Sequence, residues 1–129
     1  MSERWPVFAH GTTLAGQPDG ALLPGPRRAA SVQGQLWAMP SGRSALVVDG
    51  SGAVRGELVG PVPDRVLGLL DLVEGVAEGH TRRELVDVLV GLRRERAWVW
   101  VTEPARARMG RRLPDGRWRA TRRREDGVR

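Results

Sequence analysis

The sequence of 129 residues contains no cysteine, and it also lacks lysine, tyrosine, isoleucine and asparagine. Without cysteine there is no disulfide bond, no thiol nucleophile and no thiolate metal site. Without lysine there is no Schiff base and no P-loop lysine. The missing residues, cysteine apart, share AT-rich codons, and all 21 Lys-or-Arg positions hold arginine. This bias indicates a GC-rich, bacterial genome and carries little information about function.

Long apolar runs and metal-binding clusters are also missing. No run of about 18 apolar residues is present to span a bilayer, and residues 1–6 lack the basic-then-apolar order of a secretory signal. We therefore expect a cytoplasmic protein with no membrane partner. A zinc site needs three or four ligands, whereas the chain offers only two histidines, His10 and His80, and no cysteine. We expect no bound metal.

The net charge of +6 is concentrated at the end of the chain. Residues 106–129 hold ten of the 21 arginines and three acids, a net +7, so residues 1–105 sum to −1. We predict one domain over residues 1–120 and an Arg-rich, disordered tail over 121–129. Such a tail supports only weak, salt-sensitive binding to nucleic acid. No RNP-like or helix-turn-helix pattern accompanies it, so we expect no specific nucleic-acid partner.

Strand patterns dominate the body of the chain. A helix is predicted from Pro63 and Asp64, with an apolar stripe that ends near Gly75. Because so small a sheet must cover its edges, we predict an α+β domain, a small mixed β-barrel of about six strands with one or two flanking helices. The predicted strands are Val7–Ala9, Val32–Met39, Ala45–Val48, Ala53–Val59, Leu85–Val90 and Ala97–Val101, with a Gly-rich hairpin turn at 49–52 between the third and the fourth.

Two segments have the residue types that chemistry needs. Residues 10–13 end a buried strand, where free N–H groups can form an anion-binding nest, although a plain turn is the commoner meaning of such a segment. Glu74 follows the apolar helix stripe by one residue, so burial can raise its pKa into the range of a general base. A solvated helix-end glutamate is its alternative. His10 is open to two interpretations, a hydrogen-bonded buried histidine or a substrate contact.

Two other polar residues favour plain structural roles. Glu57 is interpreted as a strand-face glutamate paired across the sheet with an arginine. Residues 42–46 are the nearest approach to a nucleophile elbow, but they lack its second glycine. We therefore interpret Ser44 as an ordinary residue at a strand edge.

Six short segments, in order along the chain, together resemble the gamma-glutamylcyclotransferase-like family, which includes the AIG2-like proteins. The family has a Tyr-Gly-Thr/Ser-Leu loop, a Gly-x-Leu-Tyr strand, a Gly-Glu-Leu strand, a Leu-Asp-x-x-Glu-Gly helix exit and an Ala-Trp-Val-Tyr strand. The resemblance spans about residues 7–119. Its segments here are Phe8-Ala9-His10-Gly11-Thr12, Gly34-Gln35-Leu36-Trp37, Gly56-Glu57-Leu58, Leu70-Asp71-Leu72-Val73-Glu74-Gly75, Ala97-Trp98-Val99-Trp100 and Gly116-Arg117-Trp118-Arg119.

The resemblance implies a small barrel that converts a γ-glutamyl amine or peptide into 5-oxoproline and free amine, without a cofactor, as a monomer or homodimer. It implies that Glu74 is the catalytic acid and base. His10 and Thr13 replace the Tyr and Leu of the family's loop, and Trp37 and Trp100 replace strand tyrosines. These departures leave open a non-catalytic member that binds a metabolite or a protein. The substrate-binding residues implied are His10, Gly11, Thr12, Thr13 and Trp100.

Overall fold

The computed structural model describes residues 4–119, and these residues form six strands and two α-helices. Two short 3₁₀ turns, Gly11–Thr13 and Gly20–Leu22, follow the first strand. The strands are β1 (Val7–Ala9), β2 (Arg27–Ala38), β3 (Ser44–Val59), β4 (Arg82–Val90), β5 (Arg93–Val101) and β6 (Arg111–Leu113), and the helices are α1 (Asp64–Val73) and α2 (Pro104–Ala107).

Five of the strands close into a barrel. The strand order is β3, β1, β5, β4, β2, and β2 pairs again with β3. The pairing of β1 with β5 is parallel and the other pairings are antiparallel, so the sheet is mixed. The strand β6 extends the sheet beside β2. The predicted α+β fold, a mixed barrel of about six strands with flanking helices, is confirmed.

The predicted hairpin at residues 49–52 is wrong. Residues 44–59 form one long strand, and both of its halves pair antiparallel with β2. Gln33 pairs with Ala53 and the next residue, Gly34, pairs with Val48, so four residues of β3 have no counterpart on β2. The Gly-rich segment is therefore an exposed bulge within β3. In a hairpin, residues 45–48 and 53–59 would pair with each other, whereas here both segments pair with β2 and the chain keeps its direction.

The segment after Ala105 has more structure than its sequence indicates. The sequence has no periodicity between residues 105 and 112. This segment nevertheless contains most of the four-residue helix α2 and the start of β6. Both elements are too short to show an alternating pattern, and the three residues of β6 are largely exposed. The predicted tail, 121–129, and the predicted domain boundary at 120 lie outside the described residues.

The core lies partly inside the barrel and partly between the barrel and α1. Fully buried side chains such as Phe8, Leu36 and Leu58 fill the barrel. The buried face of α1, with Val66 and Leu70, packs against the outer surface of β1, β3 and β5. Neither helix in residues 4–119 has the length and apolar character needed to cross a membrane.

Candidate functional site

The end of α1 holds Glu74 in place. Gly75 has a positive φ of 74° and its N–H donates to the carbonyl of Leu72, while the N–H of Val76 donates to the carbonyl of Asp71. This pair of hydrogen bonds is a Schellman motif, which closes the last turn of a helix with a left-handed glycine. A Cβ on Gly75 would lie 2.7 Å from Nδ1 of His80. The backbone beside Glu74 is therefore fixed by both conformation and packing.

The carboxylate of Glu74 is buried and paired with one arginine. Its side chain is 8% exposed, and its Oε2 accepts a hydrogen bond of 3.0 Å from Nη2 of Arg43. The same guanidinium donates from Nη1 to Asp19 over 2.7 Å. Burial raises the pKa of Glu74, the charge and hydrogen bond of Arg43 lower it, and the charge of Asp19 raises it again. The pKa of Glu74 stands above its ordinary value, which is the direction that suits a general base working near neutral pH.

Glu74 and Arg43 face a cavity of about 280 Å³, near the lower end of the range for small-molecule sites. The cavity lies between the end of α1, the start of β3 and the helix α2. Its wall is mostly apolar. The lining residues are Met39, Pro40, Ser41, Arg43, Ser44, Ala45, Val73, Glu74, His80, Thr81, Thr102, Arg106 and Met109.

The predicted substrate loop, residues 10–13, lies behind this cavity. Thr13 closes the loop on itself, because its Oγ1 donates to the carbonyl of His10 and accepts from the N–H of His10. A Cβ on Gly11 would lie 1.8 Å from Oγ of Ser44, so Ser44 covers the loop. His10, Gly11, Thr12 and Thr13 are all buried, and the loop contacts the cavity wall through Ser44. Their role in binding substrate stays a prediction.

His10 is the hydrogen-bonded buried histidine of the first interpretation, and a contact between His10 and substrate stays a prediction. Its ring is buried, and Nδ1 lies 2.7 Å from Oγ of Ser44, a residue of the cavity wall. The pKa of His10 is lowered to about 4, mainly by burial and also by the charge of Arg43, while the main chain of Trp100 acts in the opposite direction. The imidazole is therefore neutral at pH 7.

Trp100 lies in the core between the barrel and α1, outside the lining of the cavity. Its Nε1 donates a hydrogen bond of 2.8 Å to Asp71, whose carboxylate also pairs with Arg83 at 3.1 Å. Because Asp71 is on α1, these contacts fix the helix that carries Glu74. A direct contact between Trp100 and substrate stays a prediction.

Glu57 has the structural role that was expected of it. Its Oε1 accepts a hydrogen bond of 2.8 Å from Arg27 and another from the N–H of Ala15. The expected pairing across the sheet with an arginine is confirmed. Sequence reasoning missed Arg43 and Asp19 as partners of Glu74. Arg43 was noticed only as part of residues 42–46, and nothing in the sequence linked either residue to Glu74. No group of three His, Asp or Glu side chains converges within residues 4–119 to hold a metal.

The buried His10 predicts a stability that depends on pH. His10 binds a proton near pH 6.5 in the unfolded chain and only near pH 4 in the folded chain. The stability that comes from keeping His10 neutral is therefore complete above pH 6.5 and is lost as the pH falls from 6.5 to 4. We expect the free energy of unfolding to fall by up to about 3 kcal/mol across this window. Urea unfolding at pH 4 to 7.5 measures it.

The matched variants are His10→Gln and His80→Gln, because His80 is exposed. His10→Gln should remove most of the dependence and His80→Gln should retain it. Glu74, whose pKa is raised, changes the stability with pH in the opposite direction, but it does so equally in the wild type and in both variants. The difference in pH dependence between the wild type and His10→Gln therefore belongs to His10. Equal slopes for both variants would contradict the assignment.

The fold and the site together define a class of protein: a small closed barrel that presents one buried carboxylate to a cavity of small-molecule size. The family model for "Gamma-glutamyl cyclotransferase, AIG2-like" matches residues 7–120. The chain belongs to this family.

Three solved structures show the same fold at low sequence identity. YkqA from Bacillus subtilis is 16% identical with a TM-score of 0.73, and the match covers 97% of this chain but only 43% of YkqA. The uncharacterized protein PH0828 from Pyrococcus horikoshii is 19% identical with a TM-score of 0.64, over 96% of both chains. An AIG2-like protein from Mus musculus is 19% identical with a TM-score of 0.60, over 81% of this chain and 82% of that one. A comparison with curated proteins gives no match.

Proposed function

We propose that the protein is an enzyme that cyclises a γ-glutamyl amine or peptide to 5-oxoproline and releases the free amine. The observation that carries the proposal is Glu74, a buried carboxylate with a raised pKa at a cavity, in a chain that belongs to this family. The substrate is a small molecule, and the reaction needs no cofactor because the nucleophile and the electrophile are parts of one substrate.

Glu74 is proposed to move the proton in both directions. The α-ammonium group of the substrate gives a proton to the Glu74 carboxylate, and the freed amine attacks the γ-carbonyl carbon, which forms the ring C–N bond. The bond from that carbon to the departing nitrogen then breaks. The departing amine takes the proton from Glu74, which returns the enzyme to its first state. The ring nitrogen gives up its second proton to the released amine, which leaves as an ammonium ion, or to solvent. Proton transfer by one positioned carboxyl group contributes about 10²–10⁴-fold to such a rate.

Arg43 is proposed to set the proton affinity of Glu74. Buried and alone, the carboxyl group would hold its proton too tightly to act as a base. The hydrogen bond of 3.0 Å and the positive charge of Arg43 oppose that effect. Asp19 holds the other side of the guanidinium over 2.7 Å and so fixes its position.

The remaining contribution comes from folding the substrate. Holding the amine against the carbonyl within one molecule can supply roughly 7–11 kcal/mol. We assign this clamp to the loop of residues 10–13 (His10, Gly11, Thr12 and Thr13), which contacts the cavity wall through Ser44. We also propose that Trp100 helps to bind the substrate and, through its hydrogen bond to Asp71, keeps α1 in position. These roles rest on the resemblance to the family and on the position of the loop behind the cavity.

A second candidate function is a binding protein of the same fold without the reaction. The observation that favours it is that Ser44 covers the loop of residues 10–13, to which the clamp is assigned. Such a protein would bind a γ-glutamyl metabolite, or a protein, in the same cavity. It would melt at higher temperature with the ligand and would release no 5-oxoproline.

The cellular setting follows as a proposal from the sequence. We place the protein in the bacterial cytoplasm, as a monomer or homodimer. Because the excess positive charge lies in residues 106–129, we propose no specific nucleic-acid partner and no membrane partner.

The test is 5-oxoproline release by the wild-type protein from a panel of γ-glutamyl peptides and γ-glutamyl amines, measured by mass spectrometry. Melting temperatures with each compound are measured in parallel. Release from at least one compound supports the enzyme. A compound that raises the melting temperature without turnover supports the binding protein, and neither effect with any compound contradicts both.

A further inference from the structure

A second pair of reactive groups, Ser44 and His10, is separate from Glu74: Ser44 lines the cavity and His10 lies behind Ser44. Oγ of Ser44 is 2.7 Å from Nδ1 of His10, which is the distance of a strong hydrogen bond. A serine hydroxyl within this distance of an imidazole is the arrangement in which serine acts as a nucleophile. The proposed cyclisation leaves the hydroxyl of Ser44 unused.

The two side chains have the right exposure for such a pair. Ser44 is half-buried and lines the cavity, so a small molecule in the cavity can reach it. His10 is buried behind it and is 4% exposed. The base is therefore shielded from solvent while the nucleophile faces the cavity. Arg43, the chain neighbour of Ser44, lines the same cavity and brings a positive charge toward any oxyanion that forms there.

The protonation state of His10 agrees with this geometry. Its pKa of about 4 leaves the ring neutral at pH 7, with one nitrogen free to accept a proton. In the tautomer that carries its proton on Nε2, Nδ1 is the acceptor for the hydroxyl of Ser44.

We propose that Ser44 is a nucleophile activated by His10 and that it accepts the acyl group of a small ester or amide that enters the cavity. This is an acyl-transfer activity separate from the cyclisation, and it does not depend on Glu74. It also gives a chemical reason why His10 and Ser44 occur together in this chain.

The steps balance without a cofactor. Oγ of Ser44 attacks the carbonyl carbon while its proton passes to Nδ1 of His10. The bond from that carbon to the alcohol or amine breaks, and the leaving group takes the proton from His10, which leaves an ester on Ser44. Water then attacks the ester, again giving its proton to His10, and Ser44 regains a proton as the acid is released. The sum is hydrolysis of one ester or amide by one water.

The experiment treats the full chain with diisopropyl fluorophosphate and follows its mass, with peptide mapping of the adduct. We expect a single adduct on Ser44 in the wild type and none in Ser44→Ala. Ser41→Ala is the matched control, because Ser41 lines the same cavity and its Oγ accepts only a long bond of 3.4 Å from the N–H of Arg43. This variant should be labelled like the wild type, and so should Glu74→Gln.

The dependence on His10 is tested in two ways. His10→Gln should slow labelling by about 10²–10⁴-fold, the usual contribution of a general base, and its melting curve shows whether it is folded. For the wild type, the labelling rate should stay level from pH 8 down to pH 5, because the ring is neutral throughout. No adduct on Ser44, or a rate in folded His10→Gln equal to that of the wild type, overturns the proposal. A wild-type rate that rises steadily from pH 5 to 8 also overturns it.

Discussion

The variant Glu74→Gln should form 5-oxoproline about 10²–10⁴-fold more slowly than the wild type. The amide keeps the size and shape of the side chain and can still accept a hydrogen bond from Arg43. It cannot take a proton from the α-ammonium group of the substrate or return one to the departing amine. The measurement is the initial rate of 5-oxoproline release at saturating substrate.

The same variant should be at least as stable as the wild type at pH 7. The pKa of Glu74 is raised in the folded protein, so the stability linked to this group is complete below its unfolded value of 4.5 and is lost as pH rises through the folded value. At pH 7 the wild type therefore carries the cost of a buried charge, which glutamine removes. Melting curves of both proteins at pH 7 give the comparison.

Glu78→Gln is the control for Glu74→Gln, because Glu78 is exposed on the segment just after α1 and does not line the cavity. It should retain the wild-type rate. If the wild type is active and folded Glu74→Gln retains nearly full activity, the assignment of Glu74 is wrong. The next carboxylate to replace is then Glu57, because the rate of the control variant already tests Glu78.

Arg43→Gln should move the acid limb of the pH profile of kcat/KM to higher pH. Arg43 is the only one of the contributions resolved for Glu74 that lowers its pKa, while burial and the charge of Asp19 raise it. Without the guanidinium, the carboxyl group keeps its proton to higher pH and fewer molecules hold the base form. The loss of a hydrogen bond to a charged group, worth about 1.5–3 kcal/mol, should also reduce kcat/KM by tenfold or more at neutral pH.

Arg43→Lys separates charge from geometry. Lysine keeps the positive charge but cannot pair with Glu74 and Asp19 through a planar fork. The acid limb should therefore lie between those of the wild type and Arg43→Gln. A profile that keeps its shape in both variants, with only KM changed, would show that Arg43 binds substrate without setting the proton affinity of Glu74.

The position of Glu74 could be predicted because its determinants are local. The apolar stripe of α1, the proline and aspartate at its start and Gly75 at its end all lie within 13 residues, and these features predict where the helix stops. Burial of a side chain one residue beyond the stripe follows from the same pattern. The catalytic role predicted for Glu74 came from the resemblance to the family, which rests on the order of the six segments along the chain.

The surroundings of Glu74 could not be predicted in the same way. Arg43 is 31 residues away from Glu74 in the sequence and 24 from Asp19. His10 and Ser44 are 34 residues apart. No local periodicity indicates such pairs, because only the closed barrel brings the start of β3 next to the end of β1 and the end of α1.

The error at residues 49–52 has a related cause. Asp49-Gly50-Ser51-Gly52 has the composition of a tight turn, and composition alone predicts a reversal of the chain. Whether two flanking strands pair with each other or with a common neighbour depends on their pairing with β2, which the composition of residues 49–52 does not indicate. The same partner strand accounts for β6, whose three residues gain their strand conformation from pairing with β2.

The most direct test of the central claim uses a γ-glutamyl substrate that carries ¹⁵N at its α-amino group and ¹³C at its γ-carbonyl. Intramolecular attack joins these two atoms, so the product of the wild-type protein should be 5-oxoproline whose carbonyl ¹³C signal is split by the bonded ¹⁵N. The unlabelled amine should appear in equal amount. Labelled glutamate without the splitting, or unchanged substrate in the presence of folded protein, would contradict the claim that this site cyclises γ-glutamyl compounds.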